Sequence, residues 1–183
     1  MTRHRHARYA LMIAGLLASA GMALASEAET SASASGGRGQ SGTASATAHY
    51  AGRIGFARTD TRTGALNIAR GVALGVDRDG LSLSLSTAIA PQYGPAIATN
   101  YNISIGTNGE VARSGGRVES RGGSYRMASV AGRADTGDRY RPAVAVSQAS
   151  GQTRFGGVVH ANSRSSHDPA RLVAVRRVFR PRP

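Results

Sequence analysis

Val72-Ala73-Leu74-Gly75-Val76-Asp77-Arg78-Asp79-Gly80-Leu81-Ser82-Leu83-Ser84-Leu85 reads as two alternating runs joined by a turn. Val72, Leu74 and Val76 are separated by single small residues, and Leu81, Leu83 and Leu85 by Ser82 and Ser84. A period of two is the side-chain repeat of a strand, and an Asp-Gly turn between two such runs signals a hairpin. The spacing predicts a hairpin over 71–86, with its leucines turned to a core and its serines turned to water. Residues 64–75 (GALNIARGVALG) also fit a short amphipathic helix. Gly71 in its middle would cost that helix about 1 kcal/mol, and the run across the turn favours a strand.

The same alternation continues downstream. Ile97, Thr99, Tyr101, Ile103 and Ile105 lead into Thr107-Asn108-Gly109-Glu110, an Asn-Gly turn that returns the chain through Val111. This predicts a second hairpin over 97–113, with Pro91 and Pro95 interrupting pairing between the two. Ile54 and Phe56 alternate upstream in the same way. The expected fold class is therefore mainly β, a small antiparallel sheet domain over 50–112.

Outside that domain the apolar content falls. Residues 26–49 hold no Leu, Ile, Val, Met or aromatic residue, and SASASGGRGQSGTASATA has the composition of a flexible linker, so this stretch is expected to be disordered. Residues 113–183 are Gly- and Arg-rich, broken by Gly115-Gly116, Gly122-Gly123 and Gly156-Gly157, and are expected to be only partly ordered. Ala143–Val146 and Phe155–His160 are candidate weak strands there.

The first 25 residues have the three parts of a Sec signal. Arg3, Arg5 and Arg8 precede an apolar run from Ala10 to Ala25, which ends in Ala23-Leu24-Ala25 before Ser26. Cleavage is expected between Ala25 and Ser26. The rival is an uncleaved anchor, but a span needs about 20 apolar residues, and this run is shorter and contains Gly15 and Gly21. No Arg-Arg pair precedes the run, which argues against twin-arginine export.

Loss of 1–25 takes three arginines and no acid, so the net charge falls from +13 to +10, and lysine is absent throughout. Arginine is suited to bidentate recognition of phosphate, sulfate or carboxylate. A GC-rich coding sequence would give the same bias, because Ala and Gly are abundant too. The charge draws the protein toward acidic surfaces either way. With no cysteine there are no disulfides and no thiolate-ligated metal. Leu, Ile, Val and Phe make up only roughly a sixth of the chain after Ala25, a low share where burial must offset conformational entropy.

Candidate sites are weak. Asp77-Arg78-Asp79-Gly80 has part of a calcium-loop pattern but lacks the downstream acid, and serves as a turn. Ser163-Arg164-Ser165-Ser166-His167-Asp168 holds the residue types of a hydrolase triad, yet adjacent residues cannot converge on one another. His160, His167 and Asp168 lack the pairing that a metal site wants. The Arg-Gly pieces at 36–39 and 121–123 lack the interleaved aromatics of single-strand nucleic-acid binders, and export removes intracellular nucleic acid as a partner. Asn102-Ile103-Ser104 is a glycosylation sequon placed inside a predicted strand. No catalytic, cofactor or metal residue is assigned.

Arg171, Arg176, Arg177, Arg180 and Arg182 crowd the C-terminus and are the candidate contacts for an anionic surface. The expected protein is periplasmic or extracellular and non-enzymatic, a structural or adhesion component. The alternative is a binding module for an anionic polysaccharide, lipopolysaccharide or phospholipid headgroup, touching membranes only peripherally. A hydrolase is a distant third.

Overall fold

Ten strands follow one another along the chain: β1 (Glu27–Gly37), β2 (Ala44–Ala51), β3 (Ile54–Arg62), β4 (Leu66–Asp77), β5 (Gly80–Pro91), β6 (Ala96–Gly106), β7 (Val111–Arg121), β8 (Tyr125–Asp135), β9 (Val144–Arg154) and β10 (Val158–Asp168). The structure is a computed structural model and describes residues 26–38, 42–107, 109–137, 142–154 and 156–168. Among these residues there is no helix.

The strands form two antiparallel sheets, one of order β2-β1-β8-β9 and one of order β10-β7-β6-β5-β4-β3. The sheets are stacked, with β2 across β3 and β4, β1 across β4 and β5, β8 across β5 and β6, and β9 across β7 and β10. The chain changes sheet at three corners, between β2 and β3, β7 and β8, and β9 and β10. Glycine makes the middle corner: Gly122 and Gly123 both have positive φ, in the left-handed region that other residues avoid.

Both predicted hairpins are present. Asp77 pairs with Gly80 across the two-residue turn, Leu74 with Leu83 and Val72 with Leu85, while Ile105 pairs with Val111 in the second hairpin. Of the ambiguous 64–75 stretch, residues 66–75 belong to β4.

Three expectations are corrected. Residues 26–49 are not a free linker: β1 is hydrogen-bonded on both sides, to β2 and to β8. Nor do 50 and 112 bound the domain, since β8, β9 and β10 complete the sandwich and Val144 and Val158 open strands of 11 residues each. The third correction concerns which face is buried. Ser82, Ser84 and Ser86 lie between the sheets with Ala88 and Ala90, and Leu81, Leu83 and Leu85 line the outer face.

The physical reason lies in the opposing strand. β1 turns Ala28, Thr30, Ala32 and Ala34 inward and has no large side chain to offer a leucine face. Small faces instead pack closer than the usual spacing of about 10 Å between sheets. The approach is tight enough that a Cβ on Gly71 would stand 2.7 Å from the Thr47 carbonyl oxygen, and one on Gly75 2.6 Å from that of Glu27. Val118 and Val130 are the largest buried aliphatics among the described residues.

At that spacing a short side chain reaches the facing backbone. Ser104 Oγ donates to the Asp135 carbonyl at 2.6 Å, Ser120 Oγ to Met127 at 2.8 Å, and Asn67 Nδ2 to Ser35 at 2.8 Å. Ser84 Oγ lies 2.8 Å from Thr30 Oγ1 on the opposite sheet and donates to Asn102 Oδ1 at 2.6 Å. Buried hydroxyls and amides must find partners, and here those partners clamp one sheet to the other.

Candidate binding surface

Packing the small faces inward leaves the aliphatic faces outside. On the outer face of the six-stranded sheet, cross-strand pairing arranges them in rows. Nearest the 77–80 turn run Ile54, Val76, Leu81, Ile105 and Val111, on β3 to β7. The next row is Phe56, Leu74, Leu83 and Ile103, and the third is Val72, Leu85 and Tyr101. Neighbours in a row partly cover each other, but Ile54 and Phe56 at the free edge remain 73% and 49% exposed. The block spans on the order of 400 Å² of sheet, comparable to the largest apolar patch on a typical monomer, and such patches are often functional.

Arginines frame the block. Arg58 continues the third row on β3, Arg113 continues the second on β7, and Arg164 of β10 continues the third beyond Gly115. The row below the block runs Asp60, Arg70, Thr87, Thr99 and Arg117. Arg58, Arg70, Arg113 and Arg164 have no ion-pair partner among the described residues. Gly115 has no side chain, so the sheet dips between Tyr101 and Arg164. That dip belongs to an open groove of about 770 Å³ whose lining includes Thr99, Gly115, Arg117, His160, Asn162 and Arg164. Glu119 is the carboxylate of this groove. Its hydrogen bond from Arg121, with Arg117 and His160 nearby, holds its carboxyl below the ordinary range, so it stays ionised and its charge is balanced within the cluster.

The opposite surface differs. The outer face of the four-stranded sheet presents Thr47, Ser31, Ala131 and Gln148 in one row and four serines in the next. At one end Arg133 bridges Glu27 at 3.1 Å and Asp135 at 3.4 Å. Burial there pushes the Glu29 carboxyl up, helped by Glu27 and opposed by Arg133 and His49.

Ser26 is buried: its backbone N–H donates to Thr136 Oγ1 at 3.0 Å, and its hydroxyl to the Gly80 carbonyl at 3.3 Å. Ala23 and Ala25 lie outside the described residues, as do Arg171, Arg176, Arg177, Arg180 and Arg182. Residues 163–168 all belong to one strand, β10, rather than to separate elements. Among the described residues no group of three His, Asp or Glu is placed to hold a metal. Asn102 of the sequon is buried and bonds Ser114 Oγ at 3.0 Å and the Val146 carbonyl at 3.1 Å, which makes it a clamp between sheets.

Sequence reading places positive charge at the C-terminus and misses the framing arginines. Their signal is the alternation Arg113, Gly115, Arg117, Glu119, Arg121, a strand with one charged face. Compared with known proteins, the chain matches no family model, no curated protein and no solved structure.

Proposed function

We propose that this chain is an exported, non-enzymatic structural or adhesion component of the cell envelope or extracellular space, working through the outer face of its six-stranded sheet. The observation that supports this is the aliphatic block itself, displayed on a rigid, hydrogen-bonded sheet where a water-facing surface would ordinarily be polar. The N-terminal run ending in Ala23-Leu24-Ala25 supports export, with Ser26 as the first residue of the mature protein.

Fractionation of producing cells, with N-terminal sequencing of the recovered protein, tests the reading. A chain beginning at Ser26 in the envelope or medium is expected. A cytosolic chain still carrying Met1 would overturn it.

A second reading, a binding module for an anionic ligand, is favoured by the arginine-framed groove around Gly115. It requires saturable, stoichiometric binding that survives moderate salt, because loose charge contacts weaken steeply with ionic strength.

A further inference from the structure

We propose that the outer face of the six-stranded sheet docks on an anionic phospholipid leaflet. A headgroup phosphate sits in the dip at Gly115, among Arg113, Arg117 and Arg164, and the acyl-chain boundary lies against the aliphatic rows. The proposal rests on the reading of the chain as an envelope protein and names the partner of that face. Two chemistries meet here without a gap: Tyr101 is the cross-strand partner of Gly115, and Ile103 that of Arg113. An apolar body bordered by cations is what an anionic lipid interface selects, and the guanidinium fork suits phosphate oxygens.

Charge separates this partner from a second copy of the chain. A two-fold contact presents the same patch from both sides, so the unpaired Arg58, Arg70, Arg113 and Arg164 would face a second set of like charges. A phosphate surface neutralises them instead. Both ends of the described chain also reach this part of the molecule. Asp168 pairs with Val111 in the first aliphatic row, and Ser26 contacts Gly80 at the neighbouring turn.

The test is co-sedimentation of the full chain from Ser26 to Pro183 with phosphatidylcholine vesicles, with and without a quarter of phosphatidylglycerol. Binding is expected only to the vesicles containing phosphatidylglycerol. The variant Arg113→Gln with Arg164→Gln should bind about 25-fold more weakly, at roughly fivefold per arginine near an anionic surface. Leu83→Ser with Ile103→Ser should keep the native circular dichroism and lose the binding that survives moderate salt, where apolar insertion carries more of the affinity. Inorganic phosphate should not release the protein.

Equal binding to both vesicle types, no binding at all, no loss in the arginine variant, or release by inorganic phosphate would each overturn the proposal. So would a dimer that Leu83→Ser with Ile103→Ser dissociates, since the face would then belong to a second copy. Fractionation scores the envelope reading separately: a chain found in the envelope that ignores anionic vesicles sinks only the lipid assignment.

Discussion

Single residues set the distance between the two sheets. A Cβ at Gly75 would meet the Glu27 and Ala51 carbonyl oxygens at 2.6 and 2.7 Å, and both belong to backbone that cannot swing aside. Gly75→Ala restricts the unfolded chain, a gain of about 0.4–1 kcal/mol, but overpacking costs about 1–3 kcal/mol. A net loss of about 1–2 kcal/mol is expected by denaturant titration. Gly115→Ala is the comparison, because its nearest neighbour, the Asn100 carbonyl oxygen, stands at 3.3 Å and need give by only a few tenths of an ångström; it should come out about 1 kcal/mol or more above Gly75→Ala. Charge acts at the same scale on the other sheet. Burial raises the Glu29 carboxyl above its ordinary 4.5. The folded state therefore favours the protonated form, and that stabilisation is present in acid and lost as pH rises through the folded value. Glu29→Gln should melt above the wild type at neutral pH and level with it well below the ordinary carboxyl value of 4.5. A constant difference across pH would show that ionisation is not its cause.

At the scale of elements, legibility follows contrast between faces. The β4–β5 and β6–β7 hairpins are readable because leucine, isoleucine or valine alternates with serine, alanine or asparagine, and because Asp-Gly and Asn-Gly mark their turns. β1 alternates too: Ala28, Thr30, Ala32 and Ala34 face inward, and Glu27, Glu29, Ser31 and Ser33 face outward. Alanine against serine is too faint a contrast to rise above linker composition, so the strand reads as disordered. β1 is nonetheless an inner strand with neighbours on both sides. Its amides from 28 to 36 should exchange with solvent as slowly as those of β5, measured by hydrogen exchange and mass spectrometry. Exchange at unstructured rates would remove β1 from the sheet and return 26–49 to a linker.

At the scale of the whole molecule, the strands are legible and the inside is not. A period-two pattern states that a strand has two different faces; which face goes inward depends on the sheet that packs against it. Taken alone, Leu81-Ser82-Leu83-Ser84-Leu85 points its leucines to the core. Against β1 and β8, whose inward residues are Ala, Thr, Ser and Gly with Val130 and Arg126, the small face fits and the leucine face does not. The same choice makes the candidate surface, since the outward aliphatic rows and their arginine frame follow from the inward serines. The small-residue interior is tested most directly by one pair of neighbouring substitutions in β5, Ser84→Leu and Leu83→Ser, compared by thermal and denaturant unfolding. Ser84 is fully buried against Thr30 and Asn102. A leucine there should cost about 3 kcal/mol or more, from overpacking together with the lost hydrogen bonds. Leu83→Ser loses cross-strand contacts with Leu74 and Ile103, at about 0.2–1 kcal/mol each, and should stay folded. If Leu83→Ser unfolds the protein while Ser84→Leu is tolerated, the leucine face is the interior and the small-residue core is wrong.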